Sequence, residues 1–455
     1  MAIEEPRRLI PPPPVALPGV LSRGSLWGVG DQALISATNF LTLIIIARNL
    51  SPTDFGAFTL AYTAIQFANS LQAALVTQPH NVLGATRSGN EYVSYTVATA
   101  ISQVFFTGIV AFLAAAGAVI AYLAGWSIAP LLLALILALV AWQLQEFARR
   151  VFYTEDRLAL ACTNDLVSYG AQAVVIFALG RAGKLTGTSA LYTVAITSAV
   201  AAVWGFWEIR ARLPRRAAEP RLLKTVIAEN WRFGKWLFGA ALAAWTSDQC
   251  YPVLVGGFVS VAATGSLRAV QTIMGPTNIL LRAMSQSLTP RAARIYGAGG
   301  YRALRAFVRH IILLTAPFML AYCLLIAIFA RPILTVLYGD RYRQYDWLLA
   351  LIALSYALIY TRTPAIIALE ARGISRPVFQ TYLWLTLMVF TAGIGAIYWL
   401  GLAGAALGLV ATGVVSNGIL WWWYHQMAET DRPDEPEGAQ GDDSALLMED
   451  AVPPL

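Results

Sequence analysis

Apolar runs of about 20 residues, separated by short polar or basic connections, repeat along the whole chain, and about 20 residues is what one helix needs to cross a bilayer's hydrocarbon core. Read with that ruler, the sequence predicts helical spans at 26–47, 55–76, 94–121, 128–147, 160–180 and 187–208. Six more follow at 236–257, 264–287, 307–329, 347–369, 378–398 and 402–424. The expected fold is an all-α membrane protein of twelve transmembrane helices. Helix is the expected form because, away from water, it satisfies every backbone group within its own segment. Span 160–180 carries Asp165 near its start and Gln172 in its middle.

Composition removes the soluble alternative. Hydrophobic residues make up 58% of the chain and charged ones 13%, against roughly 25% charged in soluble domains. The net charge of +7 could suggest nucleic acid, but the placement of the cations argues otherwise. With the N-terminus inside, 23 of the 32 Lys and Arg lie on inner segments, six on outer segments and three within spans. Cytoplasmic loops carry such an excess, so both termini are expected in the cytoplasm.

The connections divide the chain further. Residues 1–25, with Pro11 to Pro14, read as a disordered cytoplasmic tail, because proline lacks the amide donor. No apolar stretch before a small-residue cleavage site marks a removed signal peptide there. Residues 427–455, rich in Asp, Glu, Gly and Pro, read as an acidic disordered tail. The basic linker 209–235 separates a six-helix half at 26–208 from another at 236–426. Cys162, Cys250 and Cys323, and His80, His310 and His425, are scattered at spacings that suit neither disulfides nor a metal. No cofactor or metal is expected.

The two halves look related. At a fixed offset of 209 residues Trp27 matches Trp236, Gly30 matches Gly239, Ser51 matches Ser260, Gly56 matches Gly265 and Asn69 matches Asn278. Six spans is an even number, so matching spans share an orientation. That pattern predicts parallel repeats related by an axis along the membrane normal, a common transporter plan.

Ionisable residues within spans are costly and tend to face a cavity or a partner. In span 264–287, Arg268, Gln271, Gly275, Asn278, Arg282 and Ser285 follow one another by three or four residues and share one helical face. Facing lipid, that stripe would be prohibitively costly, so it is expected to line a water-filled cavity. The matching first-half span carries an uncharged series, Thr59, Tyr62, Thr63, Gln66, Asn69 and Ser70. Asp31 in the first span, Asp248 in the seventh and Arg362 in the tenth complete the candidate set, and Arg362 precedes Pro364, where a kink is expected. Plainer roles stay open for several of these. Asp248 can pair with Arg268 or Arg362, Arg282 can snorkel to the headgroups, and Asp31 can cap or pair at the interface. Arg149 and Arg150 read as positive-inside anchors. The candidate substrate-binding residues are thus Arg268, Arg282, Arg362, Asp248, Gln271, Asn278, Gln66, Asn69 and Asp31. Three arginines among them favour an anionic group, since a guanidinium fork suits phosphate oxygens. A lipid-linked pyrophosphate would fit. Pro252, Gly256 and Gly257 in span seven, with Gly275 and Pro276 in span eight, mark helices able to bend.

Gly30–Pro79, GDQALISATNFLTLIIIARNLSPTDFGAFTLAYTAIQFANSLQAALVTQP, resembles the opening of bacterial polysaccharide-biosynthesis membrane proteins. These are the O-antigen and exopolysaccharide repeat-unit flippases of the multidrug/oligosaccharidyl-lipid/polysaccharide exporter superfamily. The pattern AR.LSP.DFG.F.LA at Ala47–Ala61 is its most specific part, and LQEFARRVFYTEDR (Leu144–Arg157) and NWRFGKW (Asn230–Trp236) are similar to stretches at the same places. The resemblance runs from about Leu21 to Gln426. It implies two six-helix lobes around a central cavity and alternating access, in the bacterial inner membrane, with no catalytic residues. The implied cargo is an undecaprenyl-pyrophosphate-linked oligosaccharide carried to the periplasmic leaflet, with a polysaccharide polymerase and chain-length machinery as further partners.

Two other functions compete. A multidrug or metabolite antiporter of the same superfamily would be expected to bury more acid than base. A polytopic glycan polymerase or glycosyltransferase would be expected to show a large outer loop or paired carboxylates. The longest expected outer loop here is only Phe329–Trp347, and the first holds just Arg48 and Asp54.

Overall fold

A computed structural model of the chain describes residues 23–125, 129–212, 220–374 and 376–430. Most of both expected tails and residues 213–219 of the linker lie outside these. In the first half, the described residues form α1 (Arg23–Asn49), α2 (Pro52–Gln72), α3 (Gln78–Ala85), α4 (Gly89–Leu123), α5 (Ala129–Thr154), α6 (Leu158–Asp165), α7 (Ala171–Arg181) and α8 (Gly187–Arg212). The second half holds α9 (Pro220–Gln249), α10 (Tyr251–Phe258), α11 (Val261–Ile273), α12 (Gly275–Ile328), α13 (Ala330–Tyr338), α14 (Asp346–Ala371), α15 (Arg376–Met388) and α16 (Ile394–Thr430). Single π-helical turns join α2 to α3, α6 to α7 and α15 to α16.

Among the described residues, eight helical stretches are long and apolar enough to cross a membrane. Three of them, Gly275–Ile328, Ala330–Ala371 and Arg376–Gln426, run to 54, 42 and 51 residues, well beyond the roughly 20 of one crossing. Each is interrupted. Gly300 (φ 62°) breaks α12 and Gly401 (φ 57°) breaks α16, both in the left-handed region that glycine enters without a Cβ clash. A 3₁₀ segment, Gly339–Tyr345, separates α13 from α14. Large apolar side chains stay exposed on the outer faces, among them Phe105 and Phe112 of α4, Phe318 of α12 and Trp399 of α16. Belts of this size mark a surface meant for something other than water.

The repeat at an offset of 209 residues is visible in atoms. Ser51 caps α2 by accepting from the amide of Asp54 at 3.0 Å. Ser260 caps α11 by accepting from the amide of Ala263 at 3.0 Å. The two capped helices then cross at equivalent points. A Cβ on Gly56 would lie 1.8 Å from the Val261 carbonyl oxygen, and one on Gly265 would lie 2.3 Å from the Pro52 carbonyl oxygen. Both contact pairs are 209 residues apart in register, so the halves meet reciprocally, as the two sides of an isologous interface do. Next to this crossing, Arg341 of the 3₁₀ segment donates to the carbonyls of Arg48 and Leu50 at the end of α1. The largest core cluster spans both halves, from Phe55 and Ile65 of α2 to Tyr251, Leu267 and Ile352.

At the other end of α2 the second half of the linker, expected as a plain connection, is the start of α9. It packs on α3 and α4 through Val226, buried with Tyr95 and Ala98. Arg87 pairs with Glu229 at 2.6 Å, and the Tyr95 hydroxyl donates to Asn230 Oδ1 at 2.8 Å. Gly234 allows the closest approach, since a Cβ there would lie 2.4 Å from the Ala74 carbonyl oxygen. Under this contact His80 of α3 is fully buried, its ring stacked on Tyr95 at 5.7 Å. Burial, aided by the Arg87 charge, pushes its imidazole down to about 4.

Candidate functional site

The expected stripe on span eight is not one continuous face. α11 ends at Ile273 and α12 begins at Gly275, with Met274 between them outside helical geometry (φ −81°, ψ 4°). Pro276 in the first turn of α12 explains the break, because it cannot donate back into α11. Tyrosines donate to carbonyls in the last turns of α11: Tyr338 to Ala269 at 2.9 Å and Tyr322 to Ile273 at 3.2 Å. Span seven is broken in the same way at Cys250, just before Pro252, between α9 and α10. Pro364, where a kink is expected, lies inside α14, and the helix is continuous through it.

Arg268 is the centre of what remains. It lies on α11, two turns beyond the capping Ser260, and its guanidinium sits over the ring of Tyr62 on α2, 5.9 Å from the centroid. A cation of the second half thus meets an aromatic face of the first. Among the described residues Arg268 enters no ion pair, and its Nε is buried without a hydrogen-bond partner. Buried donors are almost always satisfied in folded proteins, so an orphan one needs a reason. Other unpartnered polar atoms occur on the helices around it: Thr59 Oγ1 and Asn69 Oδ1 on α2, and Trp245 Nε1 on α9, whose ring lies 4.6 Å from Phe67 of α2. Gln66 is exposed on α2, and Gln271 half-buried on α11. Gly275 faces Phe40 of α1, which brings the first helix to the same place.

Other expected members fall elsewhere. Asn278 is exposed on α12 and donates to the Tyr356 hydroxyl of α14 at 3.1 Å. Arg362 is buried inside the second half, donating to Ser416 Oγ of α16 at 3.2 Å and lying over Tyr382 of α15. The side chains of Asp248 and Arg282 lie outside the described residues.

Asp31 and Arg149 take a role that the sequence reading did not give them. Arg149, expected as an anchor at the membrane edge, is buried inside the first half. It binds Asp165 at 2.6 Å, Asp31 at 3.1 Å and Glu146 at 3.1 Å. Arg150 pairs with Glu146 at 2.6 Å, Tyr153 donates to Asp31, and Gln145 donates to both Asn164 and Asp165. Three carboxylates therefore share two guanidiniums between α1, α5 and α6, with Asp31 Oδ1 buried and unpartnered. The signal was present: Asp165, near the start of an apolar span, demanded a cation, and Glu146 and Arg149 are one turn apart on the neighbouring span. An aromatic series runs from beside this network toward Arg268, from Tyr169 through Trp142 to Tyr62 beneath its guanidinium. Among the described residues no group of three or more metal-ligating side chains could hold an ion.

Comparison with known proteins fits this geometry. The model of the family described as polysaccharide biosynthesis protein matches residues 45–346. The succinoglycan biosynthesis transport protein ExoT of Rhizobium meliloti (strain 1021) is 25% identical over 392 residues, covering 83% of this chain and 74% of that protein. Among solved structures, an inward-facing multidrug resistance MATE transporter of the MOP superfamily superposes with a TM-score of 0.67 at 14% identity, over 88% of this chain and 96% of that one. The lipid II flippase MurJ in an inward closed conformation gives 0.65 at 12% identity, over 90% and 93%. These relatives are transporters and a flippase, not enzymes. The chain belongs to the polysaccharide biosynthesis protein family and is a membrane transporter with the MOP-superfamily fold.

Proposed function

We propose that this transporter flips undecaprenyl-pyrophosphate-linked oligosaccharide repeat units from the cytoplasmic to the periplasmic leaflet of the bacterial inner membrane. The observation that carries the reading is Arg268, a guanidinium with no acidic partner among the described residues, held where the two halves meet. A pyrophosphate headgroup would supply an anion to it, and charge-assisted bonds to a guanidinium fork are the strong ones. Gln66, Asn69 and Gln271 offer donors and acceptors for sugar hydroxyls nearby, with Arg282 on α12 and Asp248 on α9 as further candidates. The family and the succinoglycan transport relative support a polysaccharide precursor as the cargo.

In this reading the chain crosses the membrane twelve times, as two six-helix lobes with both termini cytoplasmic. The reciprocal crossing at Gly56 and Gly265 then closes the periplasmic side, and the contact of α9 with α3 and α4 lies at the cytoplasmic side. Transport requires the first to open while the cavity is shut below. Polymerase and chain-length machinery would receive the product.

Deleting the chromosomal copy and restoring Arg268→Ala in its place tests the reading. Surface glycan should be lost while the protein stays inserted and abundant, and Arg268→Lys should restore part of it. Normal glycan from Arg268→Ala would remove the site. The fold shared with a multidrug transporter keeps an antiporter in view. It would be favoured if the deletion left the glycan intact and raised drug sensitivity.

A further inference from the structure

The first part of α9 has two faces of opposite use. One, built from Leu222 and from Leu223, Val226, Asn230 and Gly234 at steps of three and four, packs on α3, α4 and the π-turn after α2. The other carries Lys224, Ile227, Ala228, Trp231, Arg232 and Lys235, and all six are exposed. Ile227 is 46% exposed, Trp231 55% and the adjoining Trp236 78%. The Lys235 ammonium lies 5.5 Å from the Trp236 ring centroid. No acidic residue occurs on this outer face; the one acid of the segment, Glu229, points inward to Arg87.

Neither water nor hydrocarbon suits such a face. Water would leave two indoles and an isoleucine uncovered, and hydrocarbon would strip three cations. The headgroup layer accommodates both: indole rings settle there, and lysine and arginine are drawn to anionic lipid. The helix runs on without a break from Lys235 to Gln249, so its direction is fixed by the segment that follows. We infer that the outer face of residues 224–236 docks on anionic phospholipid headgroups of the cytoplasmic leaflet and so holds the inner face against α3 and α4. The inference rests on the orientation proposed above. It makes the Arg87–Glu229 contact, and with it the cytoplasmic closure, sensitive to the lipid composition of that leaflet.

Hydrogen exchange of the full chain in vesicles tests it. Vesicles of phosphatidylcholine alone are compared with vesicles in which part of it is replaced by phosphatidylglycerol. One cation near an anionic surface contributes about fivefold in an equilibrium, so three give on the order of a hundredfold slower exchange for the amides of 222–235. The triple variant Lys224→Gln, Arg232→Gln, Lys235→Gln should lose that difference and keep the exchange of α5 and α8 unchanged, which separates docking from misfolding. Equal exchange in the two lipids, or a triple variant that still responds, overturns the inference. So does protection produced by inorganic pyrophosphate in detergent in place of phosphatidylglycerol. Arg268→Ala should keep the lipid response whatever becomes of transport, so the failure of one reading is distinguishable from the failure of the other.

Discussion

Gly56→Ala is the sharpest perturbation the fold offers. The added methyl carbon would stand 1.8 Å from the Val261 carbonyl oxygen and 2.7 Å from its carbon, both backbone. A carbon and a carbonyl oxygen tolerate about 3.3 Å, so α2 and α11 must part by about 1.5 Å at that point. No side chain can turn away to absorb the shift. Overpacking of this kind costs about 1–3 kcal/mol, which disfavours the closed crossing by on the order of 5- to 150-fold relative to an open one. The assay is the rate at which a membrane-impermeant thiol reagent, added outside, modifies Gln66→Cys in a chain whose Cys162, Cys250 and Cys323 have been replaced. Gly56→Ala should raise that rate, and Gly265→Ala should do the same through the reciprocal contact with Pro52. The double variant should add little, because both changes act on one crossing. Gly239→Ala, with nothing within 4 Å of the new carbon, serves as the control. An unchanged rate in well-folded Gly56→Ala and Gly265→Ala would refute the crossing as the outer closure.

Arg149→Met should be severe for another reason: it leaves Asp31, Glu146 and Asp165 with Arg150 alone, and breaking a buried network this way costs about 3–5 kcal/mol. A thermal midpoint equal to that of the parent protein would refute the network's importance. His80 gives a pH dependence: its imidazole, held at about 4 in the fold, returns to 6.5 when unfolded. The unfolded chain then binds the extra proton, so this contribution is complete above pH 6.5, shrinks as pH falls toward 4, and amounts to about 3 kcal/mol at most. His80→Phe should flatten the midpoint between pH 6.5 and 4, and an identical profile would contradict the burial. Arg341→Gln removes the guanidinium that serves the α1 carbonyls of Arg48 and Leu50. It should raise external labelling of Gln66→Cys severalfold, less than Gly56→Ala does; no change would show the contact idle.

How much of this was legible follows from which residues act locally. Ser51, Ser260, Gly56 and Gly265 announced the repeat through a fixed offset, and the fold uses all four for caps and for the crossing. Pro252 and Pro276 marked the breaks in spans seven and eight, because proline acts on its own helix. Arg268 was found by periodicity and sits where the halves meet. Arg362 was legible only as an ionisable residue within a span, and its contacts with Ser416 and Tyr382 come from packing that the sequence does not display. Less still was legible for Arg149. Charge at the end of a span reads as an anchor, and only the packing of α1, α5 and α6 shows the carboxylates that receive it. The inner face of α9 was hidden in the same way, as a linker gains a partner only once the helices around it are placed.

Binding to purified protein is the most direct test of the central claim, that Arg268, between the halves, holds the pyrophosphate of a lipid-linked oligosaccharide. The measurement is the affinity of the parent protein and of Arg268→Ala for an undecaprenyl-pyrophosphate-linked oligosaccharide in detergent, with undecaprenol as the uncharged reference. Charge-assisted hydrogen bonds contribute about 1.5–3 kcal/mol, so the variant should bind the pyrophosphate lipid about 10- to 150-fold more weakly and undecaprenol unchanged. Equal affinity of the two proteins for the pyrophosphate lipid would contradict the account.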